Sequence, residues 1–232
     1  MAKHLLKDKL AAQRIYLILA GLFIASLVVS NLIFQKFFSW DFFGLYTFEI
    51  SVGILPYPVT FLITDIISEI YGKKKANQVV TTGIFASFFS LLIIYTADAV
   101  PATEWSPIGN ELFTKVFGAT TIAVFASMVA YLLAQYIDIQ LFHFWKRLTK
   151  GKHLWLRNNF STFLSQFVDT FSVLFLLCSF NKIEWDLFGA LLLSGFLFKV
   201  IVAALDTPLL YASVFAFRKR FKLKQGEELK YD

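Results

Sequence analysis

Six stretches of this chain are long and apolar enough to have no stable place in water, and they constrain the fold more than any other feature. A helix that crosses a bilayer needs about 20 mostly apolar residues. Residues 15–35, 76–97 and 116–138 meet that requirement with at most a terminal charge. Residues 50–71, 158–181 and 187–217 meet it too, but carry ionisable groups: Asp65 and Glu69, then Asp169, then Lys199 and Asp206. A soluble domain is roughly 25% charged; this chain is 16% charged and 57% hydrophobic, with 28 phenylalanines. That surplus of apolar surface needs lipid as its solvent. The expectation is an all-α integral membrane protein of six transmembrane helices, a single transmembrane domain over residues 1–232.

Short basic loops set the orientation of such a bundle, because Lys and Arg stay on the cytoplasmic side. Lys3, Lys7, Lys9 and Arg14 precede the first run, and Lys73, Lys74 and Lys75 follow the second. Lys146, Arg147, Lys150, Lys152 and Arg157 lie between the fourth and fifth, and Arg218, Lys219, Arg220, Lys222, Lys224 and Lys230 follow the sixth. Those eighteen of the 22 basic residues share one side, against Lys36, Lys115 and Lys182 on the other. Both termini are therefore expected inside. Trp40, Trp105 and Trp185 fall in outer loops, and Trp145 and Trp155 in an inner one, where an amphipathic ring sits well at the interface. On a soluble protein the net charge of +6 would raise nucleic acid as a partner; here the basic loops account for it.

The first run is too long for a signal sequence and is read as an uncleaved anchor. Residues 98–115 hold Pro101, Pro107 and Gly109 and read as an irregular loop or short surface helix. The tail from Arg218 reads as charged and frayed. Cys178, the single cysteine, reads as a small buried hydrophobe. Three helices plus three leave the halves oppositely oriented, which permits an inverted repeat, although no self-similarity shows in the sequence.

Ionisable groups at membrane depth cost several kcal/mol unless paired or wetted. Asp65 and Glu69 are spaced i, i+4 and share a helix face. Pro56 and Pro58 lack backbone donors, so the second helix should be broken or start late. Ser161, Ser165, Asp169 and Ser172 form one face of the fifth helix, with Gln166 beside it. Lys199 lies mid-membrane in the sixth. Asp206 is seven residues on, about 10 Å along the axis, so Asp169 is the better partner for Lys199 in depth. Pro208 leaves the carbonyl of Ala204 without its helical donor. Asp138, at the inner end of the fourth helix, reads as an interface residue. Bland readings compete throughout: Glu69 reaching Lys73 at the interface, serines as helix–helix glue, Lys199 and Asp169 as a structural ion pair.

Catalysis is disfavoured. His4, His143 and His153 all lie outside the spans, there is no H-E-x-x-H pair and no Gly-rich phosphate loop, so no metal or cofactor is expected.

The segments D-I-I-S-E-I-Y-G (residues 65–72), R-N-N-F-S-T-F-L-S-Q-F-V-D-T-F (157–171) and K-V-I-V-A-A-L-D-T-P (199–208) resemble the queuosine precursor transporters, six-helix proteins of the vitamin uptake transporter group. The likeness runs from the first helix to the sixth. It implies import of 7-deazaguanine bases such as preQ0 or preQ1 across the bacterial inner (plasma) membrane. The chemistry agrees. A carboxylate accepts the paired N1–H and amine of a guanine-like edge at once, and Tyr57 or Tyr71 could stack on its face.

The reading is a secondary transporter or facilitator working by alternating access. Asp65, Ser165, Gln166 and Asp169 bind the base, and Lys199 keeps Asp169 ionised or exchanges partners. Glu69 and Asp206 gate the inner side or carry a coupling proton. The expected partners are a nucleobase and membrane lipid, with a homodimer left open and no nucleic acid. The alternative is the substrate-binding membrane subunit of an ATP-driven vitamin-type uptake complex, docking through small residues such as Gly21 and Ala25.

Overall fold

The computed structural model describes residues 2–34, 36–44, 46–118, 121–181 and 183–229; Lys182 and Lys230 lie outside them, as do the side chains of Lys3 and Lys7. The chain begins with α1 (Ala2–Ile33) and then a β-hairpin, β1 (Phe37–Phe42) and β2 (Tyr46–Ser51). A 3-10 turn, Val52–Ile54, leads into α2 (Tyr57–Ile70) and α3 (Lys73–Ala99). The short α4 (Asn110–Phe113) precedes α5 (Thr121–Leu148), and α6 (Leu154–Ser179) and α7 (Phe188–Phe221) complete the bundle. Among the described residues, five helical segments are long and apolar enough to cross a membrane: Asp8–Ile33, Val52–Ile70, Lys73–Ala99, Leu154–Ser179 and Trp185–Phe221. The 28-residue α5 stands beside them, with Asp138, Lys146 and Arg147 in its second half.

The hairpin corrects the all-α expectation. Residues 50 and 51 end a strand and do not start a helix. Phe38, Trp40 and Phe42 alternate with polar or exposed residues and pair across the ladder with Ile50, Phe48 and Tyr46. Period-two alternation suits a half-buried strand. The apolar face lies on α7: Trp40 meets Phe198 edge-on at 5.5 Å, and the Tyr46 hydroxyl is 3.0 Å from Ser194 Oγ.

The prolines explain why α2 starts at Tyr57 and not at residue 50. Pro56 is the N-cap and Pro58 sits in the first turn, where a missing N–H costs nothing. The 3-10 turn before it presses on α1 through Gly53, where a Cβ would come within 2.8 Å of the Ser30 carbonyl oxygen. From Thr60 to Ile70 nearly every side chain is buried, because α1, α3, α5 and α7 all pack on α2. Gly72, at φ +82°, makes the tight exit into α3.

Three further boundaries move. Helix α1 begins at Ala2, far ahead of residue 15, and α6 begins at Leu154, ahead of 158. Helix α5 runs ten residues past 138. Asp138 is therefore interior to a helix and fully buried, not an interface residue. The tail is also not frayed over its described length. Leu229 N donates to Ile70 O at 2.7 Å, Lys146 reaches Glu228 at 2.7 Å, and Leu223 and Leu229 pack on the core. Helix α7 passes through Pro208 without ending. Large apolar side chains such as Leu17, Phe85, Phe89 and Leu205 remain exposed, as suits helices meeting lipid.

Candidate functional site

Tyr57 opens the site because the prolines place it at the first turn of α2, beneath the hairpin. The ammonium of Lys199, from α7, lies 4.7 Å from the centre of its ring. The same ammonium donates to Asp169 Oδ2 on α6 at 2.5 Å, the cross-helix pair expected from depth and charge. Tyr131 of α5 meets Tyr57 edge-on at 5.2 Å. Asp169 is 2% exposed, yet among the described residues its Oδ1 has no donor; Gln166, one turn away and 3% exposed, has its Oε1 equally without one. A buried acceptor left unpaired costs about 1–3 kcal/mol, more if charged.

These groups border two spaces. A cleft of about 270 Å³ descends from the hairpin end, with Tyr57, Tyr131, Asp169 and Lys199 at its base. A smaller space of about 30 Å³ lies between α2, α6 and α7, bordered by Asp65, Asn158, Gln166 and Asp206. Tyr57 and Lys199 border both and form the wall between them.

Deeper, Asp65 of α2 is 1% exposed and Asp138 of α5 is 0% exposed. Each leaves one carboxyl oxygen, Asp65 Oδ1 and Asp138 Oδ2, buried without a donor among the described residues. Ser165 Oγ donates to Asp138 Oδ1 at 3.0 Å, so this hydroxyl supports Asp138 and does not border either space. Beside them Thr64 Oγ1 donates to Gln135 Oε1 at 3.3 Å, and Gln135 Nε2 to the Tyr131 hydroxyl at 2.7 Å.

At the basic end Glu69 is fully buried among three cations. Arg157 grips it with both terminal nitrogens, at 2.9 and 3.3 Å; Arg218 donates to Oε1, and Lys146 lies 3.5 Å from Oε2. Lys73, the partner considered from sequence, donates instead to Gln140. Arg157 is 0% exposed and lies inside α6, not in the basic loop; its i, i+4 register with Ser161, Ser165 and Asp169 is the signal that places it on the polar face of α6. Asp138 had a similar signal, a stripe with Tyr131 and Gln135 at i, i+4, i+7. Tyr71 stands apart from the site, packed on Tyr16 and donating to Ala12 O at 2.9 Å. Asp206 borders the smaller space, while its neighbour Thr207 holds Asn159.

Residues 51–213 match the family described as "Putative vitamin uptake transporter". The chain belongs to this family. The matched span contains every residue of the site from Tyr57 to Asp206. Two relatives, each described as a "Probable queuosine precursor transporter", are similar to it. The one from Bacillus subtilis (strain 168) is 28% identical over 175 residues, 75% of this chain and 74% of its own. The one from Haemophilus influenzae (strain ATCC 51907 / DSM 11121 / KW20 / Rd) is 29% identical over 126 residues, 54% and 51%. No solved structure matches the chain. The family and the apolar helices together make this transporter a multi-pass protein of the bacterial inner membrane.

Proposed function

We propose that this transporter imports 7-deazaguanine bases, precursors of queuosine, by alternating access as a secondary transporter or facilitator. The single observation that carries the reading is the pair of buried acceptors on one face of α6 that have no donor among the described residues: Asp169 Oδ1, where Asp169 borders the cleft, and Gln166 Oε1, where Gln166 borders the smaller space together with Asp65. A guanine-like base brings N–H donors to that place. The relatives named as queuosine precursor transporters support the choice of base.

Six spanning helices, α1 to α3 and α5 to α7, form the single transmembrane domain, with both termini inside. The cleft at the hairpin end is then the outward entrance. Glu69 and its three cations tie α2, α5, α6 and α7 together beneath it and act as the inner gate. The base stacks on Tyr57 and takes Asp169 and Gln166 as acceptors. Lys199 exchanges partners as Tyr57 moves aside, so that the cleft and the smaller space join and Asp65 completes the site. Ser165 acts through Asp138, and Asp206 lies on the exit path. The middle helices of the two halves, α2 and α6, carry most of the polar groups and run in opposite directions, in keeping with an inverted repeat.

The test is a thermal-shift series on the detergent-solubilised protein against nucleobases. A base at 100 times its Kd adds about 2.7 kcal/mol of stability. A raised melting temperature with 7-deazaguanines and none with adenine supports the reading. A melt that no base moves overturns it.

A further inference from the structure

One stripe along the outer end of α1 and the turn after it lines the cleft: Leu27, Ser30, Asn31 and Phe34 recur at i, i+3, i+4 and i+7, and all four border it. Three of them are accounted for within the protein. Leu27 belongs to the buried core, Ser30 Oγ donates to the Gly53 carbonyl, and Phe34 lies so close to Gly53 that a Cβ added there would come within 2.8 Å of its own Cβ. Asn31 is the exception: its Nδ2 is buried and has no acceptor among the described residues. The amide sits on a fixed backbone, because Ser51 Oγ donates to Phe34 O and Val52 N donates to Lys36 O at 2.7 Å. Tyr57 follows Gly53 by four residues, so the turn that grips α1 also sets the ring at the base of the cleft.

Thr170, Tyr131 and Lys199 also border the cleft, and their polar groups are committed. Thr170 Oγ1 donates to Gln166 O at 2.9 Å, the Tyr131 hydroxyl accepts from Gln135 at 2.7 Å, and the Lys199 ammonium donates to Asp169 Oδ2. Among the described residues that border the cleft, two buried side-chain atoms lack a partner: Asn31 Nδ2 and Asp169 Oδ1. They are opposite in sense, one a donor and the other an acceptor. A buried polar atom without a partner has given up its bond to water and gained none in return. One ligand that carries an acceptor beside a donor meets both at once.

We infer that Asn31 is a ligand-binding residue whose Nδ2 donates to the ring carbonyl of the base, while Asp169 Oδ1 accepts from the N–H next to that carbonyl. The inference rests on the proposed reading of Asp169 as an acceptor for the base. It narrows the substrate class to planar lactams, bases with a carbonyl flanked by N–H. In a guanine-like base O6 and N1–H lie side by side on one edge, with the exocyclic amine beyond N1–H. Asn31 therefore reads one end of that edge and the acceptors of α6 read the rest. Adenine puts an amine where the carbonyl should be and sets it against the Asn31 donor. Asn31 precedes residues 51–213, so it brings into the site a helix that the family match does not reach. A neutral amide is suited to this task, because it recognises a neutral carbonyl without adding a charge beside the Lys199–Asp169 pair.

The experiment uses the full chain purified in detergent, with affinities read from the ligand dependence of its melting temperature. The probes are 7-deazaguanine with no substituent at C7 and its 6-thio analogue, which keeps N1–H and the amine but offers sulfur, a weak acceptor, in place of O6. Wild type should bind the oxo base about tenfold more tightly than the thio base. Asn31→Leu should lose about tenfold for the oxo base and little for the thio base, which brings the ratio near one. Without ligand, Asn31→Leu should melt no lower than wild type, since it removes an unpaired polar group and breaks no bond. Asn31→Ala repeats the ratio measurement with a side chain too small to clash, should leucine fit poorly. Equal binding of the two bases by wild type, or an oxo-to-thio ratio left unchanged by both variants, overturns the inference. A lower melt of the ligand-free variants with that ratio unchanged would mark the amide as helix–helix glue, and overturns it as well. Failure of the parent reading looks different: no deazaguanine moves the wild-type melt at all.

Discussion

Lys199 and Asp169 form an ion pair between α7 and α6 that uses only one carboxylate oxygen, Oδ2, and leaves Oδ1 buried and open. The pair is therefore structural and available at once. Removing one partner strands the other, which costs about 3–5 kcal/mol for fully buried groups; the 12% exposure of the lysine side chain argues for the lower end. Lys199→Met and Asp169→Asn should each lower the melting temperature of the purified protein. The double variant should be more stable than the worse single one. Additive losses in the double-mutant cycle would show that the two charges act independently.

The Glu69 clasp should respond in graded fashion. Arg157 is fully buried and makes two bonds to Glu69, whereas the Arg218 side chain is 21% exposed and makes one. Arg157→Ala or Glu69→Gln should cost about 3–5 kcal/mol. Arg218→Ala should cost about 1 kcal/mol, as for a partly solvated pair. Thermal melts of the three variants check the order. If the clasp is also the inner gate, Arg218→Ala should raise the reactivity of a cysteine placed at Asn158 toward a thiol reagent from the cytoplasmic side.

Much of this site was legible in the sequence because membrane depth makes ionisable residues conspicuous. Asp65, Glu69, Asp169 and Lys199 stand out as single charges inside apolar runs, and depth alone pairs Lys199 with Asp169. What stayed hidden sits at the ends of those runs. Asp138 and Arg157 lie beside basic loops, so hydropathy assigns them to the interface; only the continuation of α5 to Leu148 and the early start of α6 bring them inside. The hairpin was hidden for another reason. Its aromatic residues extend the apolar signal of the second run, and strand alternation six residues long is easily absorbed into a longer helix window. Ser165 was correctly placed on the polar face, but a face does not reveal which neighbour a hydroxyl meets.

Topology is open to direct labelling. Single cysteines in a Cys178→Ala background should be reached by an impermeant thiol reagent on intact cells at Trp105 and not at Lys74. Eighteen basic residues on one side motivate that expectation. Labelling at Lys74 but not at Trp105 would invert the bundle, and with it the assignment of the cleft as the outer entrance.

Ligand discrimination tests the acceptors themselves. Asp169 Oδ1 and Gln166 Oε1 both wait for donors, and Asp65 adds a third acceptor across the smaller space. A guanine-like edge supplies N1–H and an exocyclic amine together. A hypoxanthine-like analogue keeps the first and lacks the second, so one buried acceptor stays unpaired at a cost of about 1–3 kcal/mol. That is about tenfold or more in affinity. Adenine places an acceptor where the site already has acceptors, and should compete more weakly still. Competition for uptake of a labelled deazaguanine measures all three. Gln166→Ala should narrow the gap between guanine-like and hypoxanthine-like bases, because the acceptor that discriminates them is gone, while Asp169→Asn should weaken every base. Equal competition by guanine-like and adenine-like bases would mean that the donor edge is not what this site reads. Normal uptake by Asp65→Asn, Gln166→Ala and Asp169→Asn together would place the binding site elsewhere in the bundle, and leave these buried groups as the glue between α2, α6 and α7.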